Sequence, residues 1–312
     1  MGIKITASGP LSTIQDNGRI GYMDFGFSPS GCMDLESMHI SNLLVGNHKN
    51  EAVIEITYGG LSGVFTSKAI FAITGADVCP TINGLAIPMY KAIEVKEGDV
   101  LACGYAKTGL RAYLAFCSGL YLKKVMGSAS TNRACKIGGY LGRELRALDL
   151  LFFNNINPKL KKLDRREIKA SLYSNHVELR SVRGADYDRF TDGGRRAFFS
   201  SNYRVSKDSD RMGVRLEGSV VESRDGYDVI SNGMALGEVQ IAASGQPIIM
   251  AADRQTTGGY TKIVTVASID MSYVAQVRPN DSVVFKELDY ETLIKICNKR
   301  RKTISSLEKK WK

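Results

Sequence analysis

The segment 252–260, with the sequence ADRQTTGGY, places an acid, a base, an amide, two hydroxyls, paired glycines and a phenol in one short stretch. The apolar run 247–251 precedes it and the β-branched run 262–266 follows it, and such runs are typical of strands. A hairpin turn needs only about two to five residues with special backbone angles, and not this set of polar side chains. We therefore predict a polar binding loop presented by a sheet; the alternative is an ordinary polar connection.

Two polar segments in the first half of the chain are further candidates. Gln15, Asp16 and Arg19 follow the first predicted strand and could converge on a ligand; the alternative is a capped turn with an internal Asp–Arg pair. Asp34 is predicted to cap a helix whose apolar face begins at Leu35. The start of a helix offers free N–H groups and the positive end of the helix dipole, which suit a carboxylate or a phosphate.

The common signatures of cofactors and nucleophiles are missing from the sequence. It contains no GxxxxGK[ST] phosphate loop, no GxGxxG, no HExxH, no Gly-x-Ser-x-Gly and no Met-Lys-Met biotin acceptor. His39, His48 and His176 lie far apart, without the spacing of metal ligands, so no metal site is predicted. Any chemistry must then rest on binding-type polar groups or be shared with another protein chain.

Composition is that of an ordinary globular protein. The 312 residues are 44% hydrophobic and 24% charged, and a chain of this length usually forms two domains. We find no apolar run of membrane-spanning length and no signal peptide, and the six scattered cysteines form no CxxC pair. These features predict a cytoplasmic protein with reduced thiols.

The formal net charge of +10 is concentrated in residues 159–166 and in the tail. From Tyr290 onward, apolar residues recur at helical spacing, which predicts an amphipathic helix with a solvated basic face. No recognised nucleic-acid module accompanies the charge, so nucleic-acid binding is not predicted.

The rest of the chain predicts a mainly β fold. Turn signals recur every 8 to 12 residues or so, as in a sandwich or barrel. Asn83-Gly84 is a strong hairpin signal, and residues 61–66 and 69–74 could pair across Ser67-Lys68. The polar, basic stretch after residue 153 is typical of a connection, so we predict a domain at 1–153, a linker at 154–175, and a domain at 176–312 that includes the terminal helix.

Several long segments resemble the KipA/PxpC family, also called the allophanate hydrolase subunit 2-like or biotin-dependent carboxyltransferase family. They are GPLSTIQDNGRIGYMDFGFSPSGCMD (9–34), NLLVGN (42–47), EITYGG (55–60), ITGAD (73–77), GSAST (127–131), RVSKDSDRMGVRLEG (204–218) and ADRQTTGGY (252–260). The resemblance implies two cyclophilin-like β-barrel domains with a few short helices. It further implies stable association with a KipI/PxpB-type subunit and with a LamB/YcsF (PxpA)-type subunit. Such proteins together form an ATP-dependent 5-oxoprolinase, which opens 5-oxoproline to glutamate. ATP, with Mg²⁺, is then a co-substrate of the complex, and this chain carries no covalent biotin.

The opening of a lactam defines what the site residues would do. A substrate carboxylate favours an arginine fork, the amide favours Gln or Asn, and an acid could act as a base. We assign catalytic roles to Asp16, Asp253 and Arg254. Substrate binding is assigned to the remaining polar candidates, namely Gln15, Arg19, Asp34, Arg211, Arg215, Gln240, Gln255, Thr256, Thr257 and Tyr260.

Two alternatives stay open at this point. The same module resembles part of the carboxyltransferase domain of urea carboxylase, so the chain could be a carboxyltransferase subunit of a biotin-dependent system. It could also be a regulatory protein that antagonises a KipI-type kinase inhibitor and has no turnover of its own. One departure from the family pattern bears on the substrate: Glu238 brings a charge beside Gln240, which we place in the site.

Overall fold

The computed structural model describes residues 1–170 and 173–311 and divides into two compact units. The first unit comprises 1–20, 30–173 and 304–312, and the second comprises 21–29 and 174–303. Of the predicted linker 154–175, residues 154–170 and residue 173 group with the first unit, and residues 174 and 175 group with the second. Residues 171 and 172, like residue 312, lie outside the described residues. The predicted mainly β fold class is confirmed, with few helices and a long C-terminal one.

The first unit contains eleven strands and one complete α-helix among the described residues. In chain order they are β1 (Gly2–Ser8), β2 (Leu11–Gln15), α1 (Leu35–Leu44), β3 (Val53–Thr57), β4 (Leu61–Phe65), β5 (Ala69–Gly75), β6 (Thr81–Ile82), β7 (Leu85–Ala86), β8 (Ile93–Val95), β9 (Val100–Ala102), β10 (Arg111–Phe116) and β11 (Leu150–Phe152). One sheet has the order β11-β1-β4-β9-β6-β7, and the other has the order β2-β3-β10-β5-β8.

Two apolar layers position the elements of this unit. The inward faces of both sheets contribute to one core, in which Phe116 and Phe153 lie 4.8 Å apart between ring centroids. Strands β3, β5 and β10 are buried along their whole length, and α1 packs on β5 and β10 from the outside. A strand covered on both faces has a continuous apolar sequence rather than an alternating one.

Two local expectations have different outcomes. The Asn83-Gly84 hairpin is confirmed: both residues have positive φ angles, of 51° and 80°, and they join β6 to β7. The pairing of residues 61–66 with 69–74 is wrong. Strand β4 pairs with β1 and β9, whereas β5 pairs with β10 and β8 in the other sheet, so Ser67-Lys68 is a crossing between sheets.

The second unit is built around a closed barrel. Its elements are β12 (His176–Arg183), α2 (Asp192–Ser200), β13 (Tyr203–Val205), β14 (Gly213–Glu217), β15 (Asp228–Gly233), β16 (Glu238–Ile241), β17 (Pro247–Met250), β18 (Thr257–Tyr260), β19 (Lys262–Val266), α3 (Met271–Val274), β20 (Ser282–Glu287) and α4 (Tyr290–Lys310). The barrel order is β12-β19-β16-β17-β14-β13-β20, and β15 and β18 form a separate two-stranded sheet. Phe198 of α2 stacks on Phe285 of β20 at 4.5 Å and helps to fill the barrel end.

The predicted amphipathic helix from Tyr290 is confirmed as α4. Its last residues, with Trp311, group with the first unit. The Trp311 indole is buried there, its Nε1 donates to the carbonyl of Arg165 at 3.1 Å, and the Arg166 guanidinium lies over its ring. Because Trp311 closes an apolar cluster, the helix that carries it is more than a solvated basic tail.

Candidate functional site

The polar segment 252–260 divides into a turn and a strand. The flanking strands are confirmed as β17 and β19. Residues 252–256 form the turn, and the remainder forms β18, in which Gly258 lies opposite Asn232 and Thr257 lies opposite Gly233 of β15. The segment is therefore half loop and half strand. Strands β15 and β18 form a two-stranded ribbon, the β15–β18 ribbon, which fixes where the glycines of the segment lie.

A cavity of about 330 Å³ opens beside this ribbon in the second unit. Four of the predicted site residues line it together: Arg215, Gln240, Gln255 and Tyr260. The other lining residues are apolar or glycine, namely Met212, Gly213, Ile248, Met250, Gly258 and Gly259. An apolar wall with a few convergent polar groups is the usual composition of a small-molecule site.

Arg215 and Gln240 have different environments. Arg215 lies on β14 with an exposed side chain, and its guanidinium has no hydrogen-bond or acid partner among the described residues. Gln240 lies on β16, is 5% exposed, and its Nε2 donates to the carbonyl of Tyr260 at 3.3 Å. The cavity thus offers one exposed cation and one fixed amide.

Gly258 allows strand β18 of the ribbon to approach Gln240. A Cβ on Gly258 would lie 2.6 Å from Gln240 Nε2 and 2.1 Å from Met234 Cε, and real Cβ atoms do not approach so closely. Only glycine fits at this position without a shift of its neighbours. The glycines of the segment therefore serve close packing of the cavity wall.

Arg211 and Asp253 form a two-pronged ion pair. Arg211 Nε donates to Asp253 Oδ2 at 2.8 Å and Nη2 donates to Oδ1 at 3.1 Å, with side chains only 7% and 18% exposed. This is the geometry in which guanidinium and carboxylate bind most strongly. The proposed anion fork and the proposed base are thus directed at each other, and they hold the turn after β17 against the turn before β14.

Arg254 is buried and bonded to backbone. Its Nε donates to the carbonyl of Met234 at 2.9 Å, and its Nη1 donates to that of Ala251 at 3.4 Å. Burial lowers the pKa of Arg254 from its usual value, and nearby Glu238 opposes that shift. Neither Arg254, Thr256 nor Thr257 is among the described residues that line the cavity.

The remaining predicted residues lie in the first unit, where they make internal contacts. Asp16 Oδ1 accepts from Gly18 N at 2.8 Å and from the hydroxyls of Ser128 and Ser130 at 2.6 Å each, and Oδ2 accepts from Ala129 N at 2.7 Å. A carboxylate that accepts four such bonds ties its loop to the 128–130 segment. The partners differ from the internal Asp–Arg pair that the sequence left as an alternative.

Arg19 and Gln15 are fully buried beside this carboxylate loop. Arg19 Nε donates to the carbonyl of Val125 at 3.1 Å and its Nη2 to that of Ser130 at 3.0 Å. Gln15 Nε2 donates to the carbonyl of Thr131 at 3.2 Å, and its Oε1 accepts from Gly31 N at 3.1 Å. These contacts organise the interior of the unit.

Asp34 caps α1 as predicted and belongs to a buried polar cluster. Its carboxylate accepts from Ser37 N at 3.0 Å and from Ser37 Oγ at 2.7 Å. Its own N–H donates to Tyr113 Oη, which in turn donates to Glu55 Oε2 at 2.9 Å. Burial, with the neighbouring acids Glu55 and Asp34, raises the pKa of Tyr113 well above its usual value, so this phenol is a neutral donor.

One charged residue of the second unit was missed from the sequence. Lys262 is 3% exposed, is paired across the sheet with Gln240, and forms an ion pair with Glu238. The signal was available: it opens a run of β-branched residues that otherwise fills the barrel core. A charged side chain in a buried strand is stable only when an opposite charge or hydrogen-bond acceptors lie beside it, and Glu238 is such a partner for Lys262.

Metal-binding clusters and membrane-spanning helices are both absent from the described residues. No group of three or more His, Cys, Asp or Glu residues could hold a metal ion within the described part of the chain. Among the helices of residues 1–170 and 173–311, none combines the length and apolar character needed to cross a membrane.

Comparison with known proteins identifies similar sequences and structures. The family described as carboxyltransferase domain, subdomain A and B, matches residues 25–287. The chain is 34% identical to a protein of Escherichia coli strain K12 that is named as a 5-oxoprolinase subunit, over 94% of this chain and 93% of that protein. It is 33% identical to urea amidolyase of Saccharomyces cerevisiae, over 98% of this chain but only 18% of that protein. The crystal structure of Kluyveromyces lactis urea carboxylase superimposes with a TM-score of 0.90 and 28% identity, over 98% of this chain and 29% of that one.

Proposed function

The chain belongs to the family of the carboxyltransferase domain, subdomains A and B, and from this premise we propose that it is one subunit of a 5-oxoprolinase complex. The complex would open 5-oxoproline to glutamate at the expense of ATP, bound with Mg²⁺. The support is that the match extends over 93% of the length of a protein named as a 5-oxoprolinase subunit.

The observation that carries the proposal is the cavity lined by Arg215, Gln240, Gln255 and Tyr260. A compact cyclic amide with a carboxylate needs a cation and an amide reader within one small site. Arg215 supplies the cation, and Gln240 and Gln255 supply groups that both donate to and accept from an amide. The apolar residues of the wall would receive the methylene groups of the ring.

The chemistry explains why such a site would be joined to an ATP-using partner. Resonance makes a lactam carbonyl a poor electrophile at neutral pH, and phosphorylation of the amide oxygen by ATP would remove that resonance. The residues described in this chain would bind and orient the lactam. We propose that a KipI/PxpB-type and a LamB/YcsF-type subunit supply the remaining groups, including those that hold the nucleotide.

The direct test is reconstitution of the chain with subunits of those two types. We expect ATP-dependent formation of glutamate from 5-oxoproline only when all components are present. If the complex assembles and hydrolyses no 5-oxoproline, the proposed substrate is wrong. A complex that turns over no substrate, but in which the KipI/PxpB-type subunit inhibits its kinase more weakly, would support a regulatory role instead.

A carboxyltransferase role is the second candidate, and the superposition on urea carboxylase over 98% of the chain favours it. In that reaction the cation would bind the carboxylate carried by a biotin group, and the amide readers would hold urea. A biotinylated carrier with its biotin carboxylase, urea and labelled bicarbonate would distinguish the two. Labelled carboxyurea formed at a rate above that of glutamate would favour carboxyl transfer.

A further inference from the structure

The β15–β18 ribbon forms one wall of the cavity but is not one of the paired strands of the barrel. It is a separate two-stranded sheet, and a sheet of two strands is marginally stable by itself. It nevertheless contributes Gly258, Gly259 and Tyr260 to the cavity lining. Strand β18 continues through Thr261 into barrel strand β19, so the backbone fixes that end of the wall. The position of β15, which pairs with β18, depends further on side chains that join the ribbon to the barrel.

Lys262 makes three such contacts with its buried ammonium group. Its Nζ donates to the carbonyl of Gly233 at 2.7 Å and to Oδ1 of Asn232, both on β15. It also lies 3.4 Å from Glu238 Oε2 on β16. Two of the three donors of the ammonium group thus have hydrogen-bond acceptors on β15, and Glu238 supplies the opposite charge.

A bulge in the barrel explains why Lys262 faces the β15–β18 ribbon. Val239 pairs with Val264, but the next residue, Gln240, pairs with Lys262, so Ile263 is an extra residue in β19. Ile263 and Val264 are both fully buried. Bulges of this kind redirect side chains, and this one brings Lys262 beside Gln240.

The contacts of Lys262 continue into the cavity wall. In the β15–β18 ribbon, Asn232 lies opposite Gly258, and Gly233 lies opposite Thr257. Gly258 is packed against Gln240, whose Nε2 donates to the backbone carbonyl of Tyr260. A shift of β15 away from Lys262 would thus move the wall and release the amide of Gln240.

We propose that Lys262 is a positioning residue for the cavity: its ammonium group, neutralised by Glu238, holds the β15–β18 ribbon against the barrel. The residue acts through Gly258 and Gln240 and does not itself line the cavity. The role concerns the position of the wall, so it holds for any ligand that the cavity binds.

Hydrogen exchange of the full chain, read by mass spectrometry, tests this role without a ligand. In Lys262→Met we expect exchange to accelerate on the order of tenfold or more in residues 228–233 and 257–260, because a local opening is favoured once the contacts are lost. Exchange in β14 should stay unchanged. Lys262→Arg, which keeps the charge, should restore part of the protection.

The matched control is the Arg180–Asp270 pair of the second unit, in which Arg180 Nε donates to Asp270 Oδ2 at 2.9 Å. Neither residue lies on the β15–β18 ribbon. Arg180→Met should lower the melting temperature and leave exchange in the ribbon as in the wild type. Unchanged ribbon exchange in Lys262→Met, or equal acceleration throughout the barrel, would overturn the proposal. If Lys262→Met does not fold, Glu238→Gln decides in the same way, since its shape is preserved and only the charge is lost.

A kinetic arm rests on the proposed function. In the reconstituted complex with 5-oxoproline, Lys262→Met should raise KM more than it lowers kcat, because a displaced wall weakens binding first. A fall in kcat at unchanged KM would count against positioning. A wild-type complex that does not turn over 5-oxoproline would refute the proposed function, while the exchange experiment would still decide the role of Lys262.

Discussion

Arg215 is the cation that the cavity offers to an anionic ligand. Its guanidinium has no acid partner in the described part of the chain, so its removal leaves no buried group unsatisfied. We expect Arg215→Ala to raise KM by about 10- to 100-fold, since a hydrogen bond to a charged group contributes roughly 1.5–3 kcal/mol. The melting temperature should stay within error of the wild type.

Steady-state kinetics of the reconstituted complex, with thermal unfolding of the isolated chain, would check this expectation. Arg204→Ala is the matched control, because Arg204 is an exposed arginine on the adjacent strand β13 that does not line the cavity. Equal effects of the two substitutions would show that only the net charge matters.

Arg254 is expected to act on stability first. Arg254→Ala would leave the buried carbonyl of Met234 without its donor and would remove the packed stem of the side chain. We expect a loss of about 2–4 kcal/mol in the free energy of unfolding, from the unsatisfied acceptor and the lost packing together. Urea unfolding measures it, and Gln255→Ala, at an exposed neighbour, is the comparison. An unaltered unfolding midpoint would argue for a substrate-binding role of Arg254 instead.

His39 links stability to pH. Burial, with the charges of Lys49 and His48, lowers its pKa from 6.5 to about 4, and its Nε2 lies 3.0 Å from Asn17 Oδ1. His39 binds a proton more readily in the unfolded state than in the folded state. The contribution of the neutral imidazole to the free energy of unfolding is therefore fully present above about pH 6.5 and is lost as the pH falls toward 4. We expect this group to account for roughly 1–3 kcal/mol of that loss.

Chemical unfolding of the wild type and of His39→Gln from pH 4 to 7 would measure the difference. The glutamine keeps a donor for Asn17 and does not titrate, so its curve should be flatter in that window. His176→Gln, at an exposed position of the second unit, is the control. Parallel curves for the wild type and His39→Gln would exclude the histidine as the cause.

The β15–β18 ribbon that forms the cavity wall depends on one close approach. In Gly258→Ala the added Cβ would lie 2.6 Å from Gln240 Nε2 and 2.1 Å from Met234 Cε. We expect a loss of about 1–3 kcal/mol in stability from overpacking, together with weaker substrate binding as Gln240 is displaced. Gly233→Ala, on the paired strand, meets no atom within 4 Å and should change stability by no more than about 0.5 kcal/mol. Similar losses in both variants would mean that strand propensity, not the approach to Gln240, is responsible.

Prediction of the elements from sequence succeeded where the signal is local. The strands on either side of 252–260, the Asn83-Gly84 turn and the helix capped by Asp34 each depend on neighbouring residues, and each is present. The pairing of β4 and β5 depends instead on partners far along the chain, and a short connection is equally compatible with a hairpin and with a crossing between sheets.

The candidate site shows the same division at the scale of the whole molecule. Polar type and spacing identified Arg215, Gln240, Gln255 and Tyr260, which line one cavity. The same criteria also selected Asp16 and Arg19, because buried structural networks and ligand sites use the same side chains. Only three-dimensional contacts separate a carboxylate bonded to two serines from a cation that faces a cavity. The burial of Lys262 could have been inferred from its place in the β-branched run of β19, but its partners follow from a bulge that the local pattern does not reveal.

On the proposed function, a complex of several subunits turns over 5-oxoproline, and this chain alone does not. The Escherichia coli relative, named as one subunit of a 5-oxoprolinase, implies partner subunits. On the proposed function the cavity would hold the carboxylate and the amide of the lactam, and the sequence carries no phosphate loop for ATP. We therefore expect the purified chain to show no 5-oxoproline-stimulated ATP hydrolysis.

When the chain is co-expressed with a KipI/PxpB-type subunit, the pair should elute as one species, with an interface of roughly 2,000 Å² or more, the size of permanent complexes. Size exclusion with light scattering measures association, and phosphate release measures turnover. Separate elution at micromolar concentration would contradict a stable heteromer, and stimulated hydrolysis by the chain alone would place the whole site within it.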